Sequence, residues 1–497
     1  MMNDQQESDS PVVPTKSPNN AGRAAAEAAE GRELTKGNAS QQNVHWTQSQ
    51  ERALNALDRV RQAAIRDKEA KFTSLFHHVT LDRLRAAFFE LKKKAAPGVD
   101  GVTWEQYGRE LEVNLRALHG RVQRGAYRAR PSRRVYVPKT DGKMRPLGIA
   151  SLEDKIVQRA VVEVLNAIYE VDFLGFSYGF RPGRGPHDAL DALATALMRR
   201  KVSWVLDADI RGYFDAINHE WLIKFVEHRI ADPRVLRLIQ KWLKAGVMEG
   251  GRWTASEEGS PQGATVSPLL ANIYLHYVLD LWTQQWRKRN ARGDIIITRW
   301  ADDFIVGFQH QDDAQRFLRD LRLRLQKFSL ELHSDKTRLI EFGRFAGERR
   351  ARCGKGKPET FNFLGLTHIC AKTRAGKFLL ERRTIRKRMR AKLQEVKTEL
   401  RRRWHVPIPK QGKWLGAVVS GYFAYHAVPT NYDTLKAFRR EVERHWIRAL
   451  RRRSQRDGTS WSRFKSLSRK WLPRESIQHP WPDARFDVKT RGRSRVR

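Results

Sequence analysis

Three aspartates carry the chemistry this sequence suggests. Asp302 and Asp303 are adjacent inside Ile295–Phe308 (IIITRWADDFIVGF), a run of β-branched and aromatic residues with no other acid. An apolar run broken by a short polar tip reads as strand, tight turn, strand, which puts both acids at the end of a hairpin. Two neighbouring carboxylates in apolar surroundings repel each other and lose hydration, so a cation is expected to compensate them. A solvated β-turn would look the same in isolation, because Asp is common in turns. The difference is a partner acid. Val205–Asn218 (VLDADIRGYFDAIN) is a second strand-like run that ends in acids. Asp209 stands at its end, whereas the competing Asp207 sits where the strand should still be paired. Hard divalent cations take oxygen ligands from one or two carboxylates plus phosphate oxygens. Two-metal phosphoryl transfer needs carboxylates that bridge ions roughly 3.5–4 Å apart. Asp209 on one strand and Asp302 and Asp303 on a neighbouring hairpin could meet that requirement.

The rest of the chain must position these acids and bring them a polyanion. The 497 residues carry 95 Lys and Arg against 55 Asp and Glu, a net charge of +40. Basic excess on this scale is the footprint of nucleic-acid binding. Fifteen Trp residues add surfaces for base stacking. No apolar run approaches the roughly 18 residues needed to span a bilayer, so no membrane partner is expected. Cys353 and Cys370 are the only cysteines, which excludes a disulfide framework and fits a reducing compartment. Residues 1–47 are rich in Asn, Gln, Ser, Ala and Gly and read as a disordered tail. Their acids and lack of an apolar core argue against a targeting peptide, and a cytoplasmic location is expected.

Further along, periodicity turns helical before Lys92, Lys93 and Lys94 and the turn at Pro97–Gly101. Residues 134–149 read as a β-hairpin carrying Lys139, Lys143 and Arg145 near its turn. Leu152–Asp172 is an amphipathic helix, and Gly175–Arg184 a glycine-rich loop. Residues 219–246 read as helical, and Ser267-Pro268 opens a long apolar helix. After Gly376 the composition becomes strongly basic. Residues 380–403 read as one helix with Arg382, Arg383, Arg386 and Arg388, followed by helices over Trp414–His426 and Tyr432–Arg453. A basic helical module of this kind suits grip on a duplex by its phosphates.

In order, these blocks resemble those of the group II intron-encoded reverse transcriptases, or maturases. Trp300-Ala301-Asp302-Asp303 is similar to the family's Tyr-Ala-Asp-Asp box, with Trp300 in place of Tyr. Gly259–Asn272 (GSPQGATVSPLLAN) resembles the Pro-Gln-Gly block, and Pro138–Ile149 (PKTDGKMRPLGI) the first fingers block. Gly175–Arg184 resembles the second fingers block, while Leu330–Thr337 and Phe361–Gly365 resemble the last two palm blocks. The resemblance implies an α+β right-hand polymerase with fingers, an antiparallel palm sheet and an α-helical thumb, the maturase X domain. Its expected divisions are a tail at 1–47, a helical N-terminal extension at 48–130, fingers and palm at 131–368, the thumb at 369–453 and a basic nucleic-acid-binding tail at 454–497.

The implied roles follow position by position: Asp209, Asp302 and Asp303 are the catalytic residues and, with the backbone of Ile210, would hold two Mg²⁺ ions. Lys139 and Arg145 would contact the nucleotide phosphates, Gln262 the incoming nucleotide or template base, and Lys336 the pyrophosphate leaving group. Phe214 would lie beneath the sugar and exclude a 2′-hydroxyl, with Tyr213 pointing the opposite way if the backbone is extended. Lys92, Lys93, Lys94, Arg181 and Arg184 would contact template, and Arg382, Arg383, Arg386 and Arg388 the duplex and intron RNA. Expected partners are group II intron RNA, template RNA with primer DNA, target DNA and dNTPs. Past Arg453 there is no Cys and one His, His479, so the zinc-containing His-Asn-His endonuclease of many relatives is not expected. An RNA-binding maturase without polymerase activity, or a reverse transcriptase of another lineage (retron, diversity-generating or CRISPR-associated), are the alternatives.

Overall fold

The structure, a computed structural model, describes residues 57–138, 144–255, 258–259, 263–453 and 460–490. Helical residues 57–66 lead into α1 (Leu81–Glu90), α2 (Trp104–Arg109) and α3 (Leu111–Gln123). Thr80 and Thr103 cap α1 and α2 by accepting backbone N–H groups of Arg83 and Gln106. The hairpin β1 (Ser132–Pro138) and β2 (Met144–Ile149) follows, then α4 (Leu152–Asp172) and α5 (Pro186–Arg199). Strand β3 (Trp204–Ala208) precedes α6 (His219–Glu227) and α7 (Pro233–Lys244). The single helical stretch expected at 219–246 is thus two helices, because Asp232 caps a new start with Pro233 in the first turn.

Strands β4 (Val247–Glu249) and β5 (Arg252–Thr254) form a second hairpin. Next come α8 (Ser267–Leu275), a π-helical turn at His276–Asp280 and α9 (Leu281–Arg289). The hairpin β6 (Ile295–Trp300) and β7 (Asp303–Phe308) leads to α10 (Gln311–Gln326), β8 (Arg338–Glu341) and α11 (Ala346–Arg352). The remainder is β9 (Phe361–Phe363), β10 (Leu366–Lys372), β11 (Phe378–Thr384), α12 (Arg386–Arg402), α13 (Ile408–His426), α14 (Tyr432–Arg451), α15 (Trp461–Trp471) and α16 (Pro482–Thr490).

The central sheet has the order β6-β7-β3-β8 with every pair antiparallel. It is apolar on both faces. Leu206, Ala208, Ile297, Phe304 and Val306 join a large core with α4, α6 and α8. Val205, Ile296, Ile305 and Ile340 join a second core with α5, β9 and β11. Burial on both faces explains why these strands read as unbroken apolar runs and not as alternating ones. A second sheet, β2-β1-β4-β5, pairs β1 antiparallel to β2 and parallel to β4. A third core ties α12, α13, α14 and α15 together around the fully buried Trp446. Among the described residues no helix is long and apolar enough to cross a membrane, and both cysteines are free thiols.

Two sequence expectations change here. Residues 380–384 are not helix: Arg382 and Arg383 lie in β11, paired along its length with β10, and the basic helix begins at Arg386. The segment expected as a C-terminal tail holds α15, packed in the third core through Phe464 and Leu472, and α16, whose Phe486 enters the second core. Residues 1–47, and the final 491–497, lie outside the described residues.

Candidate active site and nucleic-acid interface

Strand pairing brings the three acids to one end of the central sheet. β6 and β7 close on the pair Trp300↔Asp303, leaving Ala301 and Asp302 as a two-residue turn. β3 pairs with β7 up to Ala208↔Phe304. One step further along that register sets Asp209 across from Asp303, at the roughly 5 Å spacing of neighbouring strands. All three carboxylates are enclosed, with residue exposures of 6% for Asp209, 7% for Asp302 and 6% for Asp303. Asp207 lies inside the ladder opposite Ile305 and Arg338, with its carboxylate 3.5 Å from the Arg338 guanidinium, so it is spent within the sheet.

A cation was expected for the Asp302-Asp303 pair; a cation does stand at the site, beside Asp209, where Lys336 Nζ lies 2.8 Å from Asp209 Oδ2. Beyond β3, Ile210 bridges Leu332. The two bonds of that bridge, Arg211 N–H to Glu331 O and His333 N–H to Asp209 O, belong to the flanking residues. By the alternation of an antiparallel ladder, the Ile210 carbonyl therefore faces the other side of its strand, towards the β6–β7 hairpin. Oxygen donors and a cation already accommodated beside Asp209 fit a hard divalent ion. Among the described residues no three His, Cys, Asp or Glu side chains stand ready around one point; an ion would compete with Lys336 for Asp209.

Phe214 and Tyr213 lie in a 3₁₀ turn at Tyr213–Asp215, entered through Gly212 at φ 54°. The backbone is not extended there, and both rings are buried, 5.5 Å apart, with Tyr213 Oη donating to Ala271 O. Gly259 sits against the backbone of Phe214 and Asp215, and Gly263 against that of Gly148 in β2. The two described glycines of the Pro-Gln-Gly block therefore rest one against the Phe214 turn and the other against the fingers hairpin. Gln262 itself, like Lys139, lies outside the described residues. Arg145 is on β2 opposite Val137, half-buried.

The expected template contacts divide sharply. Lys92, Lys93 and Lys94 are exposed, with Lys93 Nζ 5.0 Å from the Trp104 ring centre. Arg386 is exposed and Arg388 half-buried on α12. Arg383 is exposed and pairs with Glu381 at 2.6 Å. Arg181 and Arg382 are corrections. The Arg181 side chain is 1% exposed; it pairs with Glu170 at 2.9 Å and donates to the carbonyls of Leu174 and Ser177. Arg382 pairs with Asp191 at 3.1 Å inside the second core. Both guanidiniums hold protein together, because a buried cation needs a fixed partner. Arg184 donates to the carbonyls of Gly175 and Ser177 and lies over the Tyr178 ring, bracing the same loop.

One buried cluster escaped the sequence reading. Arg299, inside β6 and 0% exposed, forms a two-bond ion pair with Asp280 at 2.8 and 2.6 Å. A charged residue within an otherwise apolar strand, and an acid within an apolar helix, were the available signals.

Residues 137–368 match the family model of reverse transcriptase (RNA-dependent DNA polymerase). Protein YkfC of Escherichia coli is 38% identical over 290 residues, which cover 51% of this chain and 75% of that protein. The group II intron-encoded protein LtrA of Lactococcus lactis subsp. cremoris is 34% identical over 238 residues, 48% of this chain and 39% of LtrA. A putative COX1/OXI3 intron 1 protein of Saccharomyces cerevisiae is 25% identical over 410 residues, 73% of this chain and 48% of that protein. The chain belongs to the reverse transcriptases, among the group II intron-encoded proteins and maturases. It is an α+β right-hand polymerase, and the family works with divalent metal.

Proposed function

We propose that this chain copies RNA into DNA at the Asp209–Asp302–Asp303 site. The observation that carries the reading is the pairing of β3 with β7, which faces Asp209 towards the Asp302-Asp303 turn at a buried sheet end. Asp209 and Asp302 would hold two Mg²⁺ ions, with Asp303 and the Ile210 carbonyl beside them. Bound there, the ions would favour the ionised primer 3′-hydroxyl and neutralise phosphate charge. The primer oxygen bonds to the dNTP α-phosphorus as the bond to pyrophosphate breaks. Lys336, released from Asp209, would donate a proton to that leaving group. Lys139 and Arg145 would draw in the triphosphate, Gln262 would contact the nucleotide or template base, and Phe214 would pack under the sugar. Lys92–Lys94 and the basic face of α12 would hold template and duplex. The same basic thumb would bind group II intron RNA in the cytoplasm and promote splicing and target-primed insertion into DNA. YkfC is spanned over three quarters of its length and LtrA over about two fifths, and the similarity to LtrA, a group II intron-encoded protein, supports this second role.

Primer extension by the purified chain on an RNA template with dNTPs and Mg²⁺ tests the reading. The Asp302→Asn and Asp303→Asn variants should lose at least about 10³-fold in rate while keeping RNA affinity. Extension that persists in both variants would sink the site assignment. No extension by any form, with tight salt-sensitive RNA binding retained, would favour an RNA-binding maturase instead.

A further inference from the structure

The catalytic turn is held by a buried network that reaches it from two other parts of the chain. Arg299 Nη1 donates to the carbonyl of Ala301 at 2.8 Å, the peptide immediately before Asp302. The same nitrogen reaches Asn272 Oδ1 at 3.0 Å, and Nη2 reaches Ser177 Oγ at 2.7 Å. Asn272 in turn donates to Gly179 O at 2.8 Å. Gly179 completes the enclosure: a Cβ there would lie 2.3 Å from Ala301 N and 3.0 Å from the Trp300 carbonyl carbon. Ala301 itself has φ 53°, a left-handed conformation that a residue with a Cβ rarely adopts. Such a conformation persists only where its surroundings over-determine it.

The helix carrying the acid is shaped for this contact. Asn272 and Asp280 are eight residues apart, which in an unbroken α-helix leaves them about 80° apart around the axis. The π-helical turn at His276–Asp280 takes up one residue. The separation falls to about 20°, so both side chains meet Arg299 from one face. A fully buried ion pair is weak evidence for stability, because an apolar pair of the same volume often serves as well. What an apolar pair cannot supply is a directed bond to the Ala301 carbonyl.

Resting on the polymerase reading above, we propose that Arg299, set by Asp280 and Asn272, is a positioning residue that fixes the Ala301 peptide and so aims the Asp302 carboxylate at the metal site. The fingers loop at Ser177–Gly179 and the helix after the Pro-Gln-Gly loop are thereby joined mechanically to the metal-binding turn.

The test uses the full chain on an RNA template with a dideoxy-terminated primer, so that Mn²⁺ binding is read by electron paramagnetic resonance without turnover. Asp280→Asn keeps volume and removes the charge that orients Arg299. Gly179→Ala leaves every charge in place and presses on Ala301 from outside. Each should weaken Mn²⁺ binding at least tenfold. With an extendable primer, each should raise the Mg²⁺ requirement and lower kcat by a similar factor, with KM for dNTP and RNA affinity unchanged. Wild-type Mn²⁺ affinity in folded variants would overturn the inference. So would loss of RNA binding and of cooperative melting in step with metal binding in both variants, since the network would then be core alone. If the wild-type chain binds Mn²⁺ and fails to extend, the polymerase reading falls separately, and the Mn²⁺ comparison still judges the network.

Discussion

Lys336 shows how one residue can serve two states of a site. Its ammonium sits 2.8 Å from Asp209, with side-chain exposures of 18% and 9%, so the carboxylate keeps a counter-charge in the absence of metal. The proposed second task, protonating pyrophosphate, needs a group that gives up its proton, which a guanidinium does not do. Lys336→Arg should therefore keep RNA and primer affinity yet slow single-turnover extension by about 10²-fold, as Lys336→Ala should. Full activity in Lys336→Arg would show that charge alone is used. Arg382 and Arg181 carry the converse lesson. Read along the sequence, Arg382 belongs to a basic run and Arg181 to a glycine-rich loop; in the fold each is consumed by a carboxylate, Asp191 and Glu170, from another segment.

At the scale of elements, the thumb depends on close approach between α13 and the end of α15. A Cβ on Gly412 would stand 2.5 Å from Trp471 Cγ, and one on Gly416 2.5 Å from the Trp471 carbonyl oxygen. The two glycines, one helical turn apart, make the notch that seats Trp471, Gly412 against its indole and Gly416 against its backbone carbonyl. Gly412→Leu should overpack this contact and cost roughly 1–3 kcal/mol. Urea denaturation followed by Trp fluorescence checks this, and an unchanged midpoint would mean the notch has slack. Strands and helices of this kind were readable in outline. Leu152–Asp172 and the β6–β7 hairpin follow from their apolar patterns alone. The turn from strand to helix at Ile385 was missed, because the cations that dominate residues 382–403 mask the apolar residues Leu379 and Leu380 of a strand paired at long range.

Across the whole molecule, the C-terminal segment returns from the thumb to close on α5. Arg485 lies 3.0 Å from Asp191, which also holds Arg382, and Arg199 pairs with Asp487 at 2.7 Å. His187 stacks on His479 with ring centres 3.9 Å apart, and among the described residues neither His187 nitrogen has a hydrogen-bond partner. Burial, then His479, Arg485, Arg382 and His426, push the His187 imidazole far below its ordinary range. Burial lowers His368 and His426 from 6.5 to about 3, helped by Arg382 and Arg388 respectively. These histidines fold neutral, so the unfolded chain binds more protons between the folded and unfolded values. Their contribution is complete above about pH 6.5 and is lost as pH falls towards 3. The protection of residues 477–487 against hydrogen exchange, corrected for the intrinsic slowing of exchange at lower pH, should fall between pH 7 and pH 5, less so in His187→Phe, which keeps the stack and loses the proton site. Equal protection across that range would refute the account.

By itself the sequence determined the parts whose signal is local: the apolar strand runs, the acids at their tips, the amphipathic helices, the excess of positive charge and the ordered blocks of a polymerase. Only tertiary structure decided which charges are available to a ligand and which are spent within the protein. Lys336 on Asp209, Arg382 on Asp191 and Arg299 on Asp280 are all cations beside acids far away in the chain or on another element. The physical reason is desolvation. A charge on an exposed helix face needs no particular partner, while a buried one must find a fixed counter-charge, and burial is a property of the fold and not of the neighbouring residues.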